Sequence, residues 1–387
     1  MKKLWEIKNL GDICEVLDSR RKPITKKDRI EGEYPYYGAT GILSYVHNFI
    51  FNEKLVLIGE DGAKWLSGDN TAFIVDGKCW VNNHAHVIRP NRKIVLDEWI
   101  VYFLYVSDLT PYISGMTVPK LNQEKMRAIE IPVPPISEQK EIVTILDKAF
   151  SDIAKAKDNA EKNLKNAKEL FESYLQNIFT NKGDGWEEKQ IQEITTIING
   201  YAFASKDFSS TNTIKSIKIT NVGVKEFVKE KDNYLPEKFK ESLKEYQVKK
   251  GSIVIALTRT IISAGLKVAV VPDIYDGALI NQRVAALVSN EKLVNQDFLY
   301  NYLTTDSVAK YVLAHVNALM QPNLSITDLK NLPVPCPSLN EQRLVVEKLN
   351  TLSSETKKLE NIYQQKIKDL EELKKSILQK AFNGELC

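Results

Sequence analysis

Apolar residues recur at steps of three and four along two long stretches of the chain. In the first they fall at Ile142, Leu146, Ala149, Ile153, Ala156, Ala160, Leu164, Ala167, Phe171, Tyr174 and Ile178. In the second they fall at Val345, Leu349, Leu352, Leu359, Tyr363, Ile367, Leu370, Ile377 and Ala381, with Thr356 and Lys374 interrupting the stripe. Each pattern predicts one apolar face on a helix roughly 60 Å long. Both helices are entered through the same kind of collar. Pro132, Pro134 and Pro135 precede Ser137-Glu138-Gln139, and Pro333, Pro335 and Pro337 precede Ser338-Leu339-Asn340-Glu341-Gln342. A proline run fits neither a helix interior nor a central strand. Ser or Asn followed by Glu-Gln reads as an N-cap with an acid in the first turn. At the far ends Leu175-Gln176-Asn177-Ile178-Phe179 matches Leu378-Gln379-Lys380-Ala381-Phe382 with no shift in register. Equal length, equal register and matching flanks make the helices copies of one unit, not two unrelated core helices.

The segments between them repeat as well. Trp5-Glu6-Ile7-Lys8-Asn9-Leu10 resembles Trp186-Glu187-Glu188-Lys189-Gln190-Ile191. Residues 54–59 and 251–257 read as buried strands, residues 80–87 and 216–221 as further strands, and residues 98–104 as a short amphipathic helix. Residues 181–185 form a Gly-rich stop. The order is therefore domain 1–137, helix 138–180, domain 181–338, helix 339–387. The fold class expected is α+β. Two tandem α/β domains are separated and joined by two long antiparallel coiled-coil helices, in a pseudo-twofold internal repeat. Connectivity requires the antiparallel sense, because the second helix must return along the first. The register then sets Ala160 against Tyr363, Leu164 against Leu359 and Ile153 against Leu370, with Cys387 near the first domain.

Composition adds limits. The 387 residues are 43% hydrophobic and 27% charged, ordinary for a folded protein of two or three domains. No apolar run is long enough for a membrane span, and the Met-Lys-Lys-Leu-Trp-Glu start has no signal-peptide core. Cys14, Cys79, Cys336 and Cys387 show no paired spacing, which suits free thiols in a reducing cytoplasm. The net charge is only +3, so any nucleic-acid surface has to come from local clustering.

One such cluster stands out. Six of the ten residues 20–29 are basic. Arg20, Arg21, Lys22, Lys26 and Lys27 are candidates for sequence-independent phosphate contacts. Candidate base readers in the first domain are Tyr36, Tyr37, Lys64 and Trp65, with Lys120 on the loop before the collar. In the second domain they are Tyr201, Lys218, Arg259, Asn281, Gln282 and Arg283, because Arg, Asn and Gln pair bidentately with base edges. The second domain has Gly200-Tyr201-Ala202-Phe203 where the first has its Arg-rich loop. Asn281-Gln282-Arg283 matches Asn82-Asn83-His84, and Met320-Gln321-Pro322-Asn323-Leu324 matches Val118-Pro119-Lys120-Leu121. Two domains with one frame and different polar loop residues suit readers of two different short sequences.

Candidate catalysis is sparse. There is no phosphate-binding Gly-x-x-x-x-Gly-Lys-Ser/Thr loop, no Asn/Asp-Pro-Pro-aromatic segment and no Gly-rich methionine-cofactor loop. Glu60-Asp61 before Lys64 lacks the second carboxylate element of a nuclease. His84 and His86 would share a face of one strand, but no third ligand accompanies them, so no metal site is assigned.

Together these features resemble the specificity (S) subunit of type I restriction–modification enzymes, over the whole chain. The doubled Pro-Val-Pro…Glu-Gln collar carries the resemblance most strongly. Gly200-Tyr201-Ala202-Phe203, Asn281-Gln282-Arg283-Val284-Ala285 and Gln321-Pro322-Asn323-Leu324 support it. The resemblance implies that each domain reads half of a bipartite site in double-stranded DNA. The helix pair then acts as a ruler and docks two modification (methyltransferase) subunits. It further implies a non-catalytic chain without cofactor, with S-adenosylmethionine, ATP and Mg held by modification and restriction/translocase partners. Val118-Pro119-Lys120-Leu121 departs from the Gln-Pro-Asn-Leu form, so different loop contacts are expected in the first domain. The alternative, from another class, is a coiled-coil adaptor scaffolding two binding domains without DNA specificity.

Overall fold

The structure, a computed structural model, describes residues 5–115, 117–230, 234–316 and 322–386. Met320 and Gln321 of the second-domain motif, and Cys387, lie outside the described residues. The chain divides into two compact units. Unit 1 is Met1–Asn163 with Tyr363–Cys387, and unit 2 is Leu164–Ile362. The two long helices, α1 (Ile136–Thr180) and α2 (Leu339–Phe382), each contribute to both units.

Unit 1 contains strands β1 (Glu6–Asn9), β2 (Cys14–Val16), β3 (Tyr34–Gly38), β4 (Gly41–Val46), β5 (Phe51–Asn52), β6 (Leu55–Gly59), β7 (Ala72–Val75), β8 (Lys78–Val81), β9 (Ala85–Pro90) and β10 (Glu130–Val133). Two four-stranded sheets have the orders β2-β9-β6-β7 and β4-β3-β8-β5. Every residue of β6 is buried. The pleat explains this, because alternate side chains enter different cores. Val56 and Ile58 join Trp99, Ile100 and Leu104 of the helix Asp97–Val106, whereas Leu55 and Leu57 join Phe51, Val75 and Val81.

Unit 2 repeats this with β11 (Glu187–Gln190), β12 (Thr195–Asn199), β13 (Ile214–Ile217), β14 (Tyr234–Leu235), β15 (Ile253–Ala256), β16 (Ile261–Ile262), β17 (Gly265–Leu266), β18 (Val268–Val270), β19 (Leu279–Ile280), β20 (Val284–Ser289) and β21 (Pro333–Cys336). Its main sheet has the order β12-β20-β15-β18, and β14-β13-β19 forms a second. Ile253 and Ile255 face one core, Val254 and Ala256 the other.

The proline collars are strands, but only in two-stranded ribbons. β10 pairs with β1 and sets Pro132 against Ile7; β21 pairs with β11 and sets Pro335 against Glu188. This accounts for the repeated segment after each tryptophan, since it is the partner that the collar needs. The Glu-Gln pair also has a firmer role than an acid in the first turn. Gln139 is fully buried. Its Oε1 accepts from the Leu96 N–H at 2.9 Å and its Nε2 donates to the Ile94 and Pro134 carbonyls, each at 2.8 Å. Gln342 is equally buried and does the same with the Asn295 N–H and the Leu293 and Pro337 carbonyls. The two caps differ. Ser338 Oγ accepts from the Glu341 N–H at 3.3 Å, whereas α1 starts at Ile136, which puts Ser137 inside the helix.

Within each unit the helical segments run antiparallel. In unit 1, Lys374 Nζ lies over the Phe150 ring at 5.0 Å while Lys157 pairs with Glu371 at 2.6 Å, so residue numbers rise along one helix as they fall along the other. Ile153 and Leu370 line one cleft there, as the register requires. Ala160 is buried and Tyr363 half-buried. In unit 2, Phe179 near the end of α1 packs on Trp186, whose Nε1 donates to Glu341 in the first turn of α2 at 2.7 Å. Leu359 is 38% exposed, so it buries less than a central stripe position should.

The two residues that interrupt the second stripe are accommodated. Thr356 is buried because its hydroxyl donates back to the Leu352 carbonyl at 2.9 Å, leaving the methyl to pack. Lys374 lays its ammonium over the rings of Tyr105 and Phe150. One predicted element is wrong in shape. Residues 80–87 are not a single strand, because residues 82–84 form a turn between β8 and β9. Likewise β13 stops at Ile217, and Ile219–Asn221 is a 3-10 turn.

Candidate nucleic-acid interface

The turns that follow β8 and β19 are superimposable in their bonding. His84 N–H donates to Asn82 Oδ1 at 2.8 Å, and Arg283 N–H points to Asn281 Oδ1 at 3.5 Å. Glu60 N–H donates to the His84 carbonyl, and Leu257 N–H to the Arg283 carbonyl, both at 2.8 Å. Leu121 N–H donates to the Glu60 carbonyl, and Leu324 N–H to that of Leu257. Isolated bridges pair Asp61 with Lys120 and Thr258 with Asn323. Lys22 N–H reaches the Val81 carbonyl where Tyr201 N–H reaches that of Ile280. Arg21-Lys22 therefore stands where Gly200-Tyr201 stands. Gly200 is obligatory in its place, because a Cβ there would lie 2.1 Å from the Asn281 carbonyl oxygen.

In unit 2 this frame carries a basic cleft lined by Ile219, Thr258, Arg259, Arg283 and Asn323. Arg259 and Arg283 are exposed, and among the described residues no carboxylate pairs with either guanidinium. Arg259 sits in the left-handed region at φ 49°, its N–H donating to Asn323 Oδ1 at 3.3 Å. A long side chain in that region is uncommon. Burial, and then the Arg259 charge, push the Lys267 ammonium below its usual range. Tyr201, 39% exposed, packs on Phe203 and Tyr246, and Gln282 is exposed beside it. Lys218 lies over the Phe208 ring at 3.9 Å. The structure thus brings Tyr201, Asn281 and Gln282 to the same turn as Arg283, and Arg259 faces Arg283 across the cleft.

Unit 1 differs. Lys22, Lys26, Lys27 and Lys64 are exposed, and no ion pair holds them among the described residues. Arg21 is not. Its guanidinium is withdrawn into an ion pair with Glu60, lies 3.4 Å from Asp18 and donates to the Ala85 carbonyl at 2.9 Å. Arg20 is largely committed as well, to Glu53, the Ile50 carbonyl and the Phe51 ring. Tyr36 is 1% exposed, with its hydroxyl accepting from the Ile24 N–H, so it is core and not a base reader. Trp65 is likewise in the core. Tyr37 is half-buried on Phe73. Aromatic rings in a turn-rich segment were the misleading signal, since in this unit they fill the space beneath the sheet.

Lys120 pairs with Glu60 at 2.7 Å. It completes a network in which Arg21 and the partly exposed Lys120 surround the buried Asp18, Glu60 and His86. His86 Nδ1 contacts Asp18 Oδ2 at 2.6 Å and Nε2 contacts the Leu121 carbonyl at 2.8 Å. Gln123 and the Val87 N–H also donate to Asp18. Asp18, Glu60 and His86 lie close enough to ligate an ion. Both ring nitrogens of His86 and both carboxylates are already taken by protein groups, two of them cations, so the donor set does not fit a metal. Burial alone would raise the Asp18 and Glu60 carboxyls. The bonds from His86 and Gln123 to Asp18, and from Lys120 and Arg21 to Glu60, outweigh it and hold both below the usual range. The bonding equivalences put Leu257 in the place of Glu60, so unit 2 packs a leucine where unit 1 has a buried carboxylate.

This paired scaffold has relatives. The type I restriction modification DNA specificity domain family matches residues 2–163 and again 183–369. The chain belongs to that family and carries two such domains in tandem. It is 27% identical to the type I restriction enzyme MjaVIII specificity subunit of Methanocaldococcus jannaschii, over 99% of this chain and 93% of that one. It is 28% identical to a putative type I restriction enzyme specificity subunit of Haemophilus influenzae, covering 90% and 88%. Among solved structures, the HsdS subunit from Thermoanaerobacter tengcongensis has the same fold, with a TM-score of 0.63 at 18% identity, covering 99% and 97%. A chain from a type I restriction–modification system, solved in work on its complex assembly and conformational transition, scores 0.72 over the full length of both. The family match favours a specificity subunit over an adaptor without DNA specificity. No helix among the described residues is long and apolar enough to cross a membrane.

Proposed function

We propose that this chain is the non-catalytic specificity subunit of a type I restriction–modification complex, working in the cytoplasm on double-stranded DNA. Each unit reads one half of a bipartite target. The observation that carries this reading is the shared bonding frame around residues 82–84 and 281–283, which displays Asp61, Asn83, His84 and Lys120 in one unit and Arg259, Gln282, Arg283 and Asn323 in the other. Identical frames with different polar residues are what two readers of different sequences need.

In this reading the long helices set the spacer and dock two modification subunits, which hold S-adenosylmethionine. Restriction/translocase subunits bring ATP and Mg. Lys22, Lys26, Lys27 and Lys64 supply phosphate contacts that orient the DNA. The test is the methylome of a host expressing this chain with its modification partner. The expected result is adenine methylation at two short half-sites with a fixed gap, absent when this chain is omitted. Methylation at a single uninterrupted site, or methylation that persists without this chain, would overturn it.

A further inference from the structure

We propose that unit 1 reads an exocyclic amino group, adenine N6 or cytosine N4, through the Asp61–His84 pair. This rests on the half-site reading above and names the chemistry of one of its sites. Position is the first support. His84 occupies the place of Arg283, and Asp61 that of Thr258, by the equivalence of the backbone bonds. Access is the second: the His84 side chain is 51% exposed and that of Asp61 21% exposed. The third is the state of the aromatic candidates, since Tyr36 and Trp65 are core residues.

Chemistry then selects the ligand. Asp61 Oδ1 contacts His84 Nδ1 at 2.5 Å, which fixes the ring and leaves the second carboxylate oxygen and Nε2 directed away from that contact. Lys120, beside Asp61 on the isolated bridge, is tied to Glu60. A carboxylate on a DNA-facing surface repels phosphate, but its free oxygen can accept from a base donor. The amino groups of cytosine and adenine are the donors that the major groove offers. Unit 2 carries Arg283 in the place of His84 and Arg259 one residue beyond the place of Asp61, neither paired with a carboxylate among the described residues, and both suit the O6 and N7 acceptors of guanine. The two half-sites should therefore differ in kind.

Asp61→Asn, Asp61→Ala and His84→Ala are made in the full chain and expressed with the modification partner, and their methylomes are compared with that of the parent. The expected result is relaxed discrimination, on the order of tenfold or more, at one adenine or cytosine position of one half-site. The other half-site and the spacer stay unchanged, and Arg283→Ala relaxes the opposite half-site. If a variant abolishes methylation, competition binding by the assembled complex replaces the methylome, using duplexes altered at single positions of either half. Loss of discrimination at one position supports the proposal. It is overturned if both half-sites weaken equally, if both keep full discrimination, or if the parent complex binds equally well when the adenine or cytosine at the relaxed position is replaced by an analogue without its exocyclic amino group. A parent chain that directs no bipartite methylation would instead sink the half-site reading itself.

Discussion

The side-chain amide of Gln139 accepts the backbone N–H of Leu96, and the same amide donates to two carbonyls, so one buried side chain ties the start of α1 to the segment leading into Asp97–Val106. Gln342 repeats the latch with Asn295. Removing either amide leaves a buried N–H and two carbonyls without a partner, at a cost of about 1–3 kcal/mol. Gln139→Leu and Gln342→Leu should each lower the denaturation midpoint, and Gln139→Glu should do so as well, because a carboxylate cannot donate to Ile94 and Pro134. Chemical denaturation of the full chain measures this. A Gln139→Leu midpoint equal to that of the parent would show that the latch carries no stability.

The ionic network of unit 1 sets an acid limit. Asp18 and Glu60 are held below their ordinary range by their partners. Such carboxylates contribute stability that is fully present above their unfolded values, about 3.9 for Asp and about 4.3 for Glu. It is lost as pH falls through the folded values. Melting temperature should therefore drop as pH falls below about 4. Glu60→Gln should flatten that acid limb while lowering stability at neutral pH, where Arg21 and Lys120 lose their counter-charge. Equal acid slopes in parent and variant would remove Glu60 from the account.

Most of the architecture was legible in the sequence, and the reason is periodicity. The stripes of α1 and α2, the collars and the strands at 54–59 and 251–257 follow from the spacing of apolar residues. The basic cleft of unit 2 draws on Arg259 and Arg283, which the sequence marks as polar residues in turns between apolar runs. Unit 1 misled for a physical reason. Arg21, Tyr36 and Trp65 have the residue types of a nucleic-acid surface, but burial depends on contacts from distant segments. Glu60, Ile24 and the helix Asp97–Val106 are such segments. No local pattern separates an arginine that meets a phosphate from one that neutralises a buried glutamate. The equivalence of His84 to Arg283 was legible in the match of Asn82-Asn83-His84 to Asn281-Gln282-Arg283, whereas that of Asp61 to Thr258 emerged only from the backbone bonds.

The three described cysteines should be inert. Burial, then the Asp97 charge, pushes the Cys14 thiol up to about 12. Burial is the largest cause for Cys79 and Cys336 as well, each raised to about 11. At pH 8 a thiol near 11 is ionised in about one molecule in a thousand, and the thiolate is the nucleophile. Iodoacetamide at pH 8 should leave all three unmodified in the native protein and label them in denaturant, as peptide mass mapping would record. Rapid native labelling of Cys79 would contradict its burial in the core with Leu55, Leu57 and Phe51.

Arg259 should specify and not merely attract. Its left-handed backbone and its bond to Asn323 fix where the side chain leaves the cleft. Arg259→Ala should relax one position of the unit 2 half-site by about 1–3 kcal/mol. Lys26→Ala should weaken all sequences alike and reduce the salt dependence of binding. Titrations of the assembled complex at two salt concentrations separate the outcomes. Uniform weakening by Arg259→Ala would make it a phosphate contact.

The ruler role of the helices has its own test. α1 passes from unit 1 to unit 2 after Asn163, and α2 passes back after Ile362. Four extra residues in α1 alone would add about 6 Å but turn the stripe by roughly 40°, because four residues overshoot a 3.6-residue turn. Seven residues inserted at both junctions are gentler. Two turns nearly restore the facing, to within about 20°, and both helices lengthen together. The added length is about 10 Å, or roughly three base-pair steps at 3.4 Å each. If the helix pair sets the gap along the duplex, the methylome should show the same two half-sites with a spacer longer by about three base pairs. Thermal melting of the insertion variant checks that the stripe still pairs. An unchanged spacer in a stably folded variant would mean that the gap is set by the partner subunits, and that the helices serve docking alone.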